Sequence, residues 1–262
     1  MTFTPKLVAV DIDGTLVDNF GQLPTQVRDA VRRVVAADVP VVLATGRSWL
    51  ATQPIFDLLG LPPGWAVSSN GAVVVEYPPL VLHQAITFDP ADTIRRVAEV
   101  APHALIGVEE LGFGWRLSGP FPPGELTGEV RYESLDELSS RPVTRIVIRD
   151  PNGRDEEFVA MAAQLGLHEV SYFIGWSAWL DIAPLGVDKA AGLAMVCEGL
   201  GVAREDVLAL GDGRNDIEML QWAGRGVAIG DASHEVKAAA DAVTEPFSEG
   251  GTALELGRWF PV

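Results

Sequence analysis

Five short apolar runs, each ending on a small or acidic polar residue, constrain the fold of this chain more than any other feature. They are KLVAVDIDG (6–14), VPVVLATG (39–46), WAVSSNG (65–71), DVLALGDG (206–213) and RGVAIGD (225–231). Each is too short for a helix and largely apolar up to its end, which predicts strands buried on both faces. Between them lie helical patterns such as PTQVRDAVRRVVAAD, in which Val27, Val31, Val34 and Val35 recur on one helical face. Strand alternating with helix predicts an α/β core, a Rossmann-like doubly wound parallel sheet covered on both sides.

The alternation stops in the middle of the chain. PADTIRRVAEVA reads as a helix, ALIGVEEL and GWRLSG as strands, and the Pro/Gly-rich SGPFPPGELTG as a loop. VTRIVIRD then predicts a strand, DEEFVAMAAQLG a helix, and HEVSYFIGW and AWLDIAP a strand pair. Paired strands joined by short turns predict an antiparallel sheet with helices on one face, an inserted α+β domain of about 100 residues. The expected division is a discontinuous core of residues 1–82 and 184–262 with the insert at 83–183.

With 262 residues and 48% hydrophobic side chains the chain can bury a full core. Its 19 Lys and Arg against 36 Asp and Glu give a net charge of −17, with no basic run to track phosphates, so nucleic acid is not expected as a partner. No window has the length of a membrane span and MTFTPK lacks a signal-peptide pattern, so no membrane partner and a cytoplasmic location are expected. The lone Cys197 excludes an internal disulfide and reads as core packing. Nothing in the sequence fixes the oligomeric state.

The strand ends carry the chemistry. Residues two apart in an extended chain share a face, so Asp11 and Asp13 can line one pocket while Ile12 turns to the core. Open parallel sheets bind ligands at their carboxyl ends. Thr45 with Gly46 and Arg47, Ser69 with Asn70, and Asp212 occupy equivalent ends, and Asp216 falls in the first turn of the following helix, where the helix dipole tolerates negative charge. Carboxylates gathered without basic partners repel and call for a cation; hard oxygen donors suit Mg²⁺. Asp11, Asp13 through its backbone carbonyl, Asp212 and Asp216 form the expected metal site, with Asp18 read as a surface residue.

The four segments DIDGTLVD, LATGR, the lysine of GVDKAAGLAMV and GDGRNDIEML, in that order, resemble the signatures of the haloacid dehalogenase-like phosphatase superfamily. SSNGA and the tail GVAIGDASHEVKAAADAVTEPFSEGG point to its Cof-type sugar-phosphatase subgroup, whose members carry a large α+β cap between the second and third signatures. The resemblance implies Asp11 as nucleophile, forming an aspartyl-phosphate, and Asp13 as acid and then base. Thr45 and Lys189 would bind and neutralise the phosphoryl group, with Gly46, Arg47, Asn70 and Asn215 also in the phosphate and substrate site. It implies Mg²⁺ as cofactor and a small phosphorylated molecule, foremost a sugar phosphate, as substrate. Three departures stand out: Ala190 follows the lysine where glycine is usual, Gly230-Asp231-Ala232 replaces the usual Gly-Asn-Ala, and the usual Asn before the final acidic-Gly turn is missing from EPFSEGG. A phosphomutase shares the same nucleophile, and a signalling receiver also forms an aspartyl-phosphate, though receivers carry it on a later strand and lack the insert. P-loop, dinucleotide and His-Glu-x-x-His motifs are absent. His83, His103, His168 and His234 show no ligand spacing, and Trp176 and Trp179 read as packing of the inserted sheet, with sugar stacking as the alternative.

Overall fold

A computed structural model describes residues 3–18, 20–112, 114–151, 153, 170–174 and 179–261. In chain order the first elements are β1 (Leu7–Val10), α1 (Thr25–Ala36), β2 (Val41–Ala44), α2 (Trp49–Leu59), β3 (Gly64–Ser68), β4 (Val73–Tyr77) and β5 (Val81–Ala85). The middle supplies α3 (Ala91–Val100), β6 (Leu105–Glu110), β7 (Gly114–Leu117), β8 (Glu129–Tyr132), α4 (Leu135–Leu138), β9 (Ile146–Arg149), β10 (Val170–Ile174) and β11 (Trp179–Pro184). Last come α5 (Lys189–Leu200), β12 (Val207–Gly211), α6 (Ile217–Trp222), β13 (Arg225–Ala228), α7 (His234–Ala239), β14 (Ala242–Val243) and α8 (Gly251–Trp259). They fall into two units: Met1–Gly46, Thr52–Gln84 and Asp188–Val262 in one, Arg47–Ala51 and Ala85–Val187 in the other.

The first unit carries one sheet in the order β14-β13-β12-β1-β2-β3-β4-β5. All five strands read from the sequence are present, and β1 pairs in parallel with β2 on one side and β12 on the other. Strand alternation sends Leu7 and Ala9 to one face and Val8 and Val10 to the other, and all four are fully buried. The first face packs with Leu193, Val196 and Cys197 of α5, Met219 and Leu220 of α6 and Val236 of α7 in one apolar cluster. On α1 the buried stripe is Val27, Ala30, Val31 and Val34; Val35 is only half-buried, one position round the helix. The doubly wound parallel core is therefore established. Leu193 is fully buried in this cluster, so Leu193→Ala should cost about 2–5 kcal/mol in urea denaturation.

Strands β4 and β5 were not readable as such. β4 runs antiparallel to β3 straight after the turn at 69–71, so the sheet reverses direction at this side without any helix to punctuate it. β5 is an edge strand with exposed Val81 and Leu82, lacking the buried run that marks its neighbours.

The second unit is a sheet in the order β10-β11-β9-β6-β7-β8. Ile94 and Val97 of α3 and Leu138 of α4 cover Ile106, Val108, Ile146, Ile148, Leu180 and Ile182 on one face, the arrangement expected for an α+β module. The pairing is antiparallel except between β7 and β8, which run parallel. The intervening loop, SGPFPPGELTG, is long enough to carry the chain back along the sheet. The expected helix at DEEFVAMAAQLG lies outside the described residues. Among the described residues no helix is long and apolar enough to cross a membrane.

Candidate active site

Chain order reverses between β1 and β12: from β1 the chain steps to β2 and β3, and from β12 to β13 and β14. The loops leaving these two strands diverge, and the crevice between them is where an open parallel sheet receives a ligand. Asp11 and Asp212 stand there, one residue past each strand, and the Asp11 N–H donates to the Leu210 carbonyl at 3.0 Å. Ile12 is fully buried and its carbonyl accepts the N–H groups of Leu16 (2.8 Å) and Val17 (2.9 Å), closing the turn. Asp13, on that turn, is exposed.

Lys189 opens α5 with its ammonium fully buried, donating to Asp11 Oδ1 at 2.6 Å and Asp216 Oδ1 at 2.5 Å. Asp188 caps the same helix, accepting the Ala191 N–H at 2.8 Å, and so fixes where the lysine starts. Asp216 Oδ2 accepts the backbone N–H groups of Asp212 (3.0 Å) and Gly213 (2.8 Å), tying the loop after β12 to its own carboxylate. The Thr15 hydroxyl donates to Asp212 Oδ1 at 2.9 Å. Gly14 lies against the same carboxylate at φ +78°, and a Cβ there would fall 2.4 Å from Asp212 Oδ2, so only glycine lets the turn pass.

Charge in this pocket is frustrated. Burial first, then the Asp216 carboxylate, push the Asp11 carboxyl well above the ordinary range; Lys189 pulls it back, while Asp212 and Asp13 add to the rise. Burial and then Asp216 likewise push Asp212 up to about 7, against the pull of the Thr15 bond and Lys189. For Lys189 burial acts downward, but the charges and hydrogen bonds of Asp11 and Asp216 together outweigh it and hold the ammonium above its usual range.

The donor set fits a small hard cation. Carboxylate oxygens of Asp11, Asp212 and Asp216 all lie within 4.8 Å of one another. Three carboxyl groups share one lysine, so any further ionisation in the pocket calls for a cation to balance it. Among the described residues, Asp11 Oδ2 and Asp212 Oδ2 accept no protein hydrogen bond, whereas both oxygens of Asp216 are already engaged. Each carboxylate oxygen can accept more than one partner, so Asp11, Asp212 and Asp216 all keep capacity for a divalent cation, while Asp216 also holds their loop and lysine in place.

Two more loops reach the carboxyl end of the sheet. Thr45, buried past β2, donates its N–H to Val67 at 2.9 Å and accepts the Asn70 N–H at 3.0 Å. Ser69 and Asn70 both take left-handed backbone angles, φ 51° and 52°, and Gly71 follows at φ 97°. A Cβ on Gly71 would sit 2.0 Å from the Asp188 carbonyl oxygen, so this turn abuts the start of α5. Asn215 Nδ2 donates to Asn70 Oδ1 at 2.9 Å, joining the loops after β3 and β12. Of the sequence candidates, Asp11, Asp13, Thr45, Gly46, Asn70, Lys189, Asp212, Asn215 and Asp216 all belong to the first unit, while Arg47 groups with the second and donates to the Ala51 carbonyl at 3.5 Å.

The remaining candidates resolve into structure. Asp18 closes a turn by accepting the N–H groups of Phe20 and Gln22, both at 2.8 Å. Cys197 packs in the core, where burial pushes its thiol up to about 11. His83 stacks on Trp65 at 4.1 Å and His103 reaches Asp150 at 3.0 Å; His168 and Trp176 lie outside the described residues. Trp179 packs edge-on to Phe121 at 6.2 Å and donates to Asp181 at 3.1 Å. Asp231, in the place of the usual asparagine, accepts the Phe247 N–H at 2.7 Å. Sequence reasoning missed Thr15, whose only signal was a hydroxyl inside DIDGT, and Asp188, whose signal was an acid just before a helical pattern.

The chain matches the family profile of the haloacid dehalogenase-like hydrolases over residues 8–256. It is 32% identical to the phosphoglycolate phosphatase of Natronomonas pharaonis, covering 96% of each chain. To the 5-amino-6-(5-phospho-D-ribitylamino)uracil phosphatase YcsE of Bacillus subtilis it is 28% identical over 97% of this chain and 95% of that one. A solved structure of the subclass IIB sugar phosphatase BT4131 has the same fold, with a TM-score of 0.84, 23% identity and coverage of 97% of this chain and 98% of that one. With its Lys189-bridged acids at the switch point of a parallel sheet, the chain belongs to the haloacid dehalogenase-like hydrolase family, as a phosphoric monoester hydrolase of the Cof type.

Proposed function

We propose that the protein hydrolyses a small soluble phosphomonoester, foremost a sugar phosphate, in a Mg²⁺-dependent reaction through an aspartyl-phosphate on Asp11. The observation that carries this reading is the buried Asp11, held by Lys189 through one oxygen and presenting the other without a protein partner among the described residues. That free oxygen is the nucleophile: it forms a bond to phosphorus as the ester P–O bond breaks in line. Asp13, exposed and able to exchange protons with solvent, protonates the departing alkoxide. It then takes a proton from the water that cleaves the acyl phosphate, releasing inorganic phosphate and restoring Asp11.

Lys189 has three ammonium hydrogens, two of them spent on Asp11 and Asp216, which leaves the third for a phosphoryl oxygen. Thr45 offers a hydroxyl at the end of the neighbouring strand. Asp11, the Asp13 carbonyl and Asp212 would hold Mg²⁺, with Asp216 behind them. Bound there, it would screen the carboxylates from the incoming phosphoryl dianion. The partner is a small molecule, consistent with relatives named for phosphoglycolate and for a phosphoribityl compound. The net charge of −17 speaks against nucleic acid, and a single cysteine suits a cytoplasmic setting.

A panel of sugar phosphates, phosphoglycolate and phosphorylated proteins, assayed for phosphate release with Mg²⁺ and with EDTA, tests the reading. Turnover of small esters that vanishes with EDTA is expected. Metal-independent turnover, or turnover confined to phosphoproteins, would overturn it.

A further inference from the structure

The segment EPFSEGG, one of the places where the chain departs from the family pattern, ends on the first residue of α8, and nothing in the reaction above uses it. Thr252 follows directly. It is fully buried in the first turn of that helix, and its hydroxyl donates to the Thr15 carbonyl at 2.5 Å, across 237 positions of sequence. Thr15 is itself fully buried, and among the described residues no backbone N–H donates to its carbonyl. Thr252 therefore partners a group that would otherwise be buried and unpaired.

The bond also holds a residue that its own turn holds weakly. The Thr15 N–H reaches the Ile12 carbonyl at 3.4 Å, longer than an ordinary N–H···O bond, whereas Leu16 and Val17 reach the same oxygen at 2.8 and 2.9 Å. Yet Thr15 has a demanding task, since its single hydroxyl hydrogen goes to Asp212 Oδ1 at 2.9 Å. The helix that steadies it is anchored in turn. Just past β14, the Thr244 hydroxyl donates to the Gly251 carbonyl at 2.9 Å, and the Gly251 N–H donates to the Pro246 carbonyl at 3.1 Å. A Cβ on Gly251 would fall 1.8 Å from the Glu245 carbonyl oxygen, so the start of α8 is pressed onto that backbone. The buried hydroxyls of Thr244, Thr252 and Thr15 thus act in series, from the end of β14 to the carboxylate of Asp212, all within the first unit.

We propose that Thr252 is a positioning residue for the metal site: through Thr15, its hydroxyl holds the Asp212 carboxylate in the orientation in which the three acids converge. The proposal rests on the Mg²⁺-dependent reading above and adds to it a residue that touches neither metal nor substrate. Groups behind a metal ligand set its orientation, and a Thr15 backbone free to tilt would carry its hydroxyl away from Asp212.

Calorimetric titration of the metal-free, full-length protein with Mg²⁺ alone, beside melting temperatures, tests this. Thr252→Val keeps the shape and removes the donor, and it should weaken Mg²⁺ about tenfold, the scale on which partners behind a metal ligand act. Thr252→Ser keeps the hydroxyl and should bind within about twofold of wild type. Thr15→Val should weaken Mg²⁺ at least as far, and the two valines together little further than Thr15→Val alone, because the hydroxyls act in series. Leu256→Ala separates positioning from stability. Leu256 is fully buried one turn further along α8, so its truncation should lower the melting temperature at least as much as Thr252→Val while leaving Mg²⁺ affinity within about twofold. Wild-type affinity in Thr252→Val, an equal loss in Thr252→Ser or Leu256→Ala, or fully additive losses in the double valine would each overturn the proposal. A wild type that binds no Mg²⁺ would discard the metal reading and the proposal together, whereas Mg²⁺ bound equally by wild type and Thr252→Val would discard the role of Thr252 alone.

Discussion

Asp11→Asn lowers turnover of the best phosphomonoester by at least about 10⁴-fold, the scale on which removal of a covalent nucleophile acts. The amide is isosteric and keeps an acceptor for Lys189 at the position that now lies 2.6 Å away, so geometry survives while nucleophilicity does not. Stability moves differently. The folded protein holds Asp11 protonated more readily than the unfolded chain does, because burial and Asp216 push its pKa up. Where the folded state binds the extra proton, stability falls as pH rises above the ordinary carboxylate range. In metal-free protein Asp11→Asn should therefore flatten that decline while abolishing activity. Rates across a pH series, with melting temperatures in EDTA, check both halves; retained turnover in the asparagine variant would remove Asp11 from the chemistry.

Lys189→Met is expected to cost about 3–5 kcal/mol in metal-free protein, since it strips the cation from buried acids rather than removing the pair together. The side chain is fully buried between Asp11 and Asp216, so water cannot substitute for the lost charge. Activity should fall by about 10²–10³-fold, the usual consequence of removing one donor to a transferring group. Saturating Mg²⁺ should restore part of the stability but little of the rate, because a second cation can balance the acids without reaching the phosphoryl oxygen that Lys189 serves. Denaturant titrations in EDTA and in Mg²⁺, beside initial rates, separate the two effects. An unchanged denaturation midpoint in EDTA would show that the acids shed their charge by protonation and that the lysine is structurally dispensable.

The parallel core was legible because its strands are buried on both faces and so appear as unbroken apolar runs, ended by the polar residues that reach the site. β8 was not, since EVRY is exposed at the edge of its sheet and carries no apolar signature. The parallel turn-back between β7 and β8 was hidden for a related reason: a loop reveals its length in the sequence but not its direction. Within the site, residue types announced the acids and Lys189, but not which oxygen of each carboxylate is spent. That Asp216 is committed to two backbone N–H groups and the lysine, leaving Asp212 Oδ2 open, depends on the path of the Gly211–Asp216 turn. The Asn70–Asn215 bond joins residues 145 positions apart and has no local trace at all.

Gly71 touches the Asp188 backbone so closely that no side chain fits between them. Between them the chain first adds β4 and β5 to the core sheet, leaves the first unit after Gln84 and rejoins it at Asp188. The lysine-bearing helix is thus registered against the turn that carries Asn70 by direct backbone contact, and not by whatever the intervening hundred or so residues do. Descendants of such a chain can exchange, lengthen or reshape that stretch without moving the ammonium relative to the nucleophile. The backbone contact of residues 71 and 188, both within the first unit, is what that independence rests on.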